Sequence, residues 1–184
     1  MKIVVLCAIA IGMMSVALAC GGDSGSSSAS GGESASKVVQ ADGVYTLGDS
    51  LDIGFKKGKT FDIEGLPEAT DAFYGFWGLD PYDRKEFELR LYASHEAAVE
   101  FGTFHAEERV GRDAKLKKDE ATWKEGLTEA RACTRGGQGY VDSSNCSISR
   151  YGDYVFYGNA VLICQGSDAS DARKNCNALL AEFQ

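Results

Sequence analysis

Six cysteines constrain this chain more than any other feature. Cys7 lies in an apolar leader, MKIVVLCAIAIGMMSVALA, where Lys2 precedes an uncharged run from Ile3 to Ala19. A positive start, an apolar run and small residues before a Cys make the pattern of a secretory signal, removed before the protein folds. The run is shorter than the roughly 20 residues a membrane-spanning helix needs. An exported chain enters an oxidising compartment, where an even set of cysteines pairs. Cys133, Cys146, Cys164 and Cys176 are that set. Zinc ligation needs pairs two to four residues apart and redox chemistry a C-x-x-C pair; the gaps of 13, 18 and 12 fit neither. Two structural disulfides are expected.

Count alone leaves three connectivities, and helix geometry selects among them. In SDASDARKNCNALLAEFQ the residues Ala172, Cys176, Leu179, Leu180 and Phe183 share one helical face, with Ser167 or Ser170 as the expected cap. Cys176 therefore points to the core. Cys164 ends the apolar run AVLIC that leads into this helix and is its natural partner. Cys133 and Cys146 then close the Gly-rich TRGGQGYVDSSN. Each loop is worth about 3 kcal/mol in the chain-entropy account.

The tetrapeptide ALAC, followed by GGDSGSSSASGGESAS, resembles the lipobox and tether of bacterial lipoproteins. The resemblance covers about the first 36 residues. It implies that Cys20 becomes the first residue of the mature protein and carries lipid. Residues 21–36 are almost wholly Gly, Ser, Ala and acid, too polar and small to bury a core, and read as a flexible leash. Two acyl chains, at about 0.8 kcal/mol per buried methylene, hold such a leash to a bilayer. The expected organisation is a signal peptide over 1–19, a lipidated Cys20 with tether over 20–40, and one domain over 41–184. The expected location is the bacterial cell envelope, facing the extracytoplasmic side, with the membrane as partner through Cys20.

Net charge is −8, or −9 once Lys2 leaves with the leader. No Lys/Arg cluster tracks phosphates, which excludes nucleic acid as a primary partner.

Periodicity predicts an α+β domain. GVYTL, LDIGF and TFDI read as a small β meander turning at GDS and KKGK. DAFYGFW and KEFELRLY read as a hairpin about Asp80-Pro81, in which Phe87, Leu89 and Leu91 face the core and Glu86, Glu88 and Arg90 face water. Ser94 caps a helix from His95. The plan repeats in YVFY-GN-AVLIC and the Cys176 helix, as strand, strand, helix. The expectation is an antiparallel sheet with two helices on one face, open to an origin by duplication. Trp123 and Leu127, one turn apart, predict a short helix against the surface.

Three motifs carry candidate chemistry. Gly48-Asp49-Ser50-Leu51 resembles the signature tetrapeptide of GDSL esterases, which implies Ser50 as nucleophile. That family draws its base from a late D-x-x-H, and His95 and His105 are this chain's only histidines, neither so placed. Ser50 reads as a turn residue, with an envelope esterase as the alternative. SHEAAVE lacks the second His of a zinc helix, and His105 reads as a buried, hydrogen-bonded core residue. No metal or cofactor is expected. The aromatic run from Phe73 to Trp77 sends Tyr74 and Phe76 to one face, where with Tyr92, Tyr154 and Tyr157 they form either a binding platform or a second core layer. The reading is a non-catalytic envelope binding protein; a thiol-disulfide factor is the remaining alternative.

Overall fold

Two hairpins form the centre of the sheet. Strands β3 (Ala69–Trp77) and β4 (Lys85–Tyr92) pair antiparallel with Leu89 opposite Phe73. Their turn closes where the Asp83 amide donates to the Asp80 carbonyl at 3.1 Å, as the Asp-Pro pair predicts. Strands β7 (Tyr151–Tyr157) and β8 (Ala160–Gln165) join through Gly158-Asn159, with Gly158 at φ +52°. β4 and β8 then pair antiparallel, Leu89 against Leu162. Adding β1 (Val38–Gln40) and β2 (Lys56–Thr60) gives a six-stranded sheet in the order β1-β7-β8-β4-β3-β2, parallel only between β1 and β7. A separate two-stranded sheet joins β5 (Arg131–Ala132) to β6 (Ile148–Ser149). These elements come from a computed structural model that describes residues 37–133 and 146–183. The leader, Cys20, most of the tether and the Gly-rich loop lie outside the described residues.

The α+β class, the hairpins and both disulfides, Cys133–Cys146 and Cys164–Cys176, stand as the sequence predicts. Ser94 caps α2 (His95–Glu107) through a bond from the Ala97 amide. α4 (Ala169–Leu180) buries Ala172, Cys176, Leu179 and Leu180 as its periodicity requires. Its cap is Asp168, which accepts from the Asp171 amide at 2.9 Å, rather than either serine. Ser167 instead donates from its amide to the Asp171 carboxylate.

Four expectations are corrected. The helices lie on opposite faces of the sheet, not on one. Leu162 and Cys164 pack with α4, whereas Val161 and Ile163, alternating with them on β8, pack with Ala98 and Ala106 of α2. The run Ala160–Cys164 is buried throughout, and a strand buried on both sides needs a layer on each. A two-fold axis normal to the sheet would relate the antiparallel hairpins but leave both helices on one side, so that symmetry is absent.

The N-terminal meander contains a helix, α1 (Leu47–Asp52). Thr46 and Asp49 close a capping box: the Asp49 carboxylate accepts from the Thr46 amide at 2.7 Å while the Thr46 hydroxyl accepts from the Asp49 amide. Next, the tether boundary moves, because Val38–Gln40 already belong to the sheet, with the Phe156 amide donating to the Lys37 carbonyl. Finally, Trp123 and Leu127, the latter opening α3 (Leu127–Ala130), are buried at 2% and 4% exposure rather than lying on the surface. With Phe61, Leu66 and Ala72, Trp123 makes a small third cluster.

Candidate functional site

Among the described residues a concave surface lies where β6 and the start of β7 face the end of β8 and the first turn of α4. Two clefts of about 390 and 430 Å³ adjoin there and share Ile148, Ser149, Gly166 and Ser167. Two glycines allow this geometry. A Cβ on Gly152 would lie 2.2 Å from the Asp168 carbonyl oxygen, and one on Gly166 would lie 2.2 Å from the Ala172 amide nitrogen. No side chain fits at either, so the backbone of α4's first turn rests directly on the strands.

One cleft carries Arg112 and Asp168, the other Lys85, Arg150, Asp171 and Asn175, and the exposed Ile148 stands between them. Arg150 is held firmly. Its Nη2 donates to the Arg131 carbonyl at 2.8 Å, and its guanidinium pairs with Glu86, which also accepts from the Tyr74 hydroxyl. The lining therefore offers an apolar contact, a fixed cation and several amide and hydroxyl groups. That mixture suits reversible recognition of a polar partner. Among the described residues no group of three His, Cys, Asp or Glu side chains gathers to hold a metal.

The proposed aromatic platform divides. Tyr74 and Phe76 share a face of β3 as alternation predicts, ring centroids 5.0 Å apart, and stay half-buried at the margin of this region. Tyr92 and Tyr154, each 1% exposed, are core residues and line no surface; Tyr157 is also buried. They lie inside because their strands occupy the middle of the sheet, covered by α2 and α4.

Ser50 sits within α1 at 4% exposure, not in a turn. Its helix packs with the α4-side core through Leu47 and Ile53, whereas His105 packs on the α2 side. Nδ1 of His95 donates to the Gly158 carbonyl at 2.9 Å. Neither histidine stands beside Ser50 as a base must. His105 is buried, as expected, but its Nδ1 has no hydrogen-bond partner in the protein. Burial, then the Arg90 charge, lower its pKa.

Sequence reasoning missed a buried ionic cluster on the α2 face. Glu88 and Arg90, read as the wet side of β4, are wholly inaccessible. Glu88 Oε1 accepts from Arg90 Nε at 2.7 Å, and Arg109 Nε stands 3.6 Å from Oε2. Both guanidiniums face the Trp123 ring, at 4.8 and 5.3 Å from its centroid. Arg109 Nη2 donates to the Glu125 carbonyl at 2.7 Å. Burial above all, with Arg90 opposing and Glu88 favouring its charge, lowers the Arg109 pKa. Burial, then Glu88, raise the pKa of Tyr151 well above the usual phenol value. The signal in the sequence was β4's place: a strand whose partner AVLIC is apolar throughout is central, and both its faces are covered.

The fold and cleft define a disulfide-stapled α+β domain with helices on both faces of a mainly antiparallel sheet. A family of unknown function (DUF6810) matches residues 46–184, and the chain belongs to it. The match begins at Thr46, the cap of α1, and spans every element after β1. No curated protein and no solved structure matches the chain.

Proposed function

We propose that this chain is a lipid-anchored extracytoplasmic protein whose domain is a non-catalytic binding module at the bacterial cell envelope, engaging a partner through the cleft around Ile148. The two disulfides carry the reading, because structural cystines persist only where glutathione and thioredoxin do not reduce them. The resemblance of ALAC and the following Gly/Ser run to a lipobox and tether supplies the anchor at Cys20. The cleft supplies a recognition surface with Arg150 fixed in its wall.

Intact-mass analysis of the chain expressed in a bacterial host tests the anchor. The expected species begins at an acylated Cys20 and gains no alkyl group until reductant is added. An unlipidated chain, or alkylation without reductant, removes the anchored or the disulfide half of the reading. A photo-crosslinking residue at position 148 tests the cleft in intact cells. It is expected to capture an envelope component that the same probe at the exposed Phe104, on α2, does not. Equal capture at both positions, or none, refutes the cleft.

A further inference from the structure

The tip of the β3–β4 hairpin presents the two most exposed large apolar side chains among the described residues. Leu79 is 83% exposed and Tyr82 97%, three positions apart on one tight turn. The turn gains nothing from either, since Gly, Pro, Asn, Asp and Ser are the residues that stabilise turns. It is nonetheless firmly built. The Asp80 carboxylate accepts from the Tyr82 amide at 2.8 Å, the Asp83 amide donates to the Asp80 carbonyl, and Asp83 pairs with Lys85 at 2.7 Å. At its base Trp77 is buried, its indole N–H donating to the Ile53 carbonyl at 3.0 Å. Both acids are engaged within the turn, and Arg84 and Lys85 balance them, so the tip is an apolar point without net charge.

The strand register relates this tip to the place where the chain enters the sheet. β1 runs parallel to β7, with Val38 beside Phe156; Phe156 lies opposite Val161, and Val161 opposite Arg90. β1 therefore runs in the direction of β4, away from the tip, and Lys37 is entered from the tip's end of the sheet. Tyr82 precedes Arg90 by eight residues, so the tip stands at most about 26 Å beyond the level at which β1 begins. Cys20 to Ser36 are 17 residues, a length of Gly/Ser-rich chain whose root-mean-square reach is about 23 Å. A lipid on Cys20 and the hairpin tip can thus meet one bilayer.

We infer that the Leu79–Tyr82 tip is a second membrane contact, seated in the headgroup region of the bilayer that holds Cys20. This contact depends on the anchored half of the proposed function and not on the cleft. Leu79 buries its side chain there, while Tyr82 places its ring below the headgroups and its hydroxyl among them, the arrangement that enriches Tyr at membrane interfaces. Because the tip carries no net charge, zwitterionic lipid suffices. Two side chains alone hold a bilayer weakly. The anchor makes the encounter intramolecular, and a weak contact then stays formed.

The acylated full chain in phosphatidylcholine vesicles tests the contact, with a photo-crosslinking diazirine residue in place of Leu79, Tyr82 or Val44. Val44 is also apolar and exposed, but the neighbouring Tyr45 amide donates to Asn159 at 2.6 Å, which sets it at the opposite end of the sheet. Irradiation is expected to add the mass of one phosphatidylcholine at positions 79 and 82 and not at 44. Leu79→Asp should lower the yield at 82 by about tenfold. An acylated chain that gains no lipid at 79 and 82, gains it equally at 44, or crosslinks through the tip to a second copy of itself overturns the contact and leaves the anchor standing. A chain that carries no acyl group overturns both.

Discussion

Glu88→Gln tests the electrostatics of the interior with little change of shape. The glutamine keeps the volume and the planar head but removes the charge that faces Arg90 Nε at 2.7 Å and Arg109 Nε at 3.6 Å. Two guanidiniums then share a dry space with no carboxylate between them. At an effective dielectric near 20, opposite charges about 4 Å apart attract by about 4 kcal/mol. Removing one partner of a buried pair costs about 3–5 kcal/mol, since the other charge stays behind uncompensated. For a domain of this size each kcal/mol moves the melting temperature by about 2–4 °C, so the variant should melt roughly 6–20 °C below the parent. Thermal unfolding by circular dichroism at pH 7 reads the effect. The double variant Glu88→Leu, Arg90→Met should lose less than the two single variants summed, because it removes a pair instead of orphaning a charge. A Glu88→Gln protein melting within about 2 °C of the parent would refute the reasoning, because the carboxylate would then not be the guanidiniums' counter-charge.

Other consequences are checked as directly. Cys164 and Cys176 are fully buried while Cys133 is exposed, so graded reduction with mass mapping should label Cys133 and Cys146 first; replacing Cys164 and Cys176 together by Ala should cost about 3 kcal/mol in urea unfolding. Gly166→Ala puts a methyl group into the Ala172 backbone and should cost about 1–3 kcal/mol, read in the same titration. His105 has a lowered folded pKa from burial and Arg90, so the unfolded chain binds its proton first and stability should fall as pH drops below about 6.5. His105→Gln should flatten the fall in stability below that pH, and an unchanged profile would count against the ring's burial. Burial pushes the pKa of Asp153 up, but Arg173 and Lys37 outweigh it and hold it below the usual value. Its contribution is therefore full above about pH 4 and lost as pH falls through the folded value, and Asp153→Asn should weaken this acid limb of the melting curve.

What could be read in advance depended on how local the physics was. The Asp80-Pro81 turn, the Gly158-Asn159 loop and the Ser94 cap are settled within a few residues, and the cysteine pairing followed from one helical stripe and one adjacent strand. The capping box of α1 was equally local, yet Thr46 and Asp49 went unread because Gly48-Asp49-Ser50 suits a turn as well as a first helical turn. The side of the sheet that each helix covers is not local. It depends on β8 lying beside β4, a contact between residues 69 to 77 apart. The same contact buries Glu88 and Arg90, whose alternation with Phe87, Leu89 and Leu91 describes a solvated face equally well. The cleft arises from the approach of α4 to Gly152 and Gly166, which no periodicity reports.

Strand β1 has a mechanical meaning. A pull on the chain at Lys37 enters the fold at the edge of the sheet, through the bonds that the Phe156 and Gly158 amides make to Lys37 and Gln40 and through the Lys37–Asp153 ion pair. Val38, Val39 and Gln40 are all exposed, and neither disulfide lies between Lys37 and the rest of the sheet, so peeling the strand away loads neither. In the anchored protein proposed above, the strand would give way first and lengthen the tether by about 3.5 Å for each residue released. On that reading the domain would keep a short length of slack folded against its own edge, released under tension while the sheet behind it stays whole.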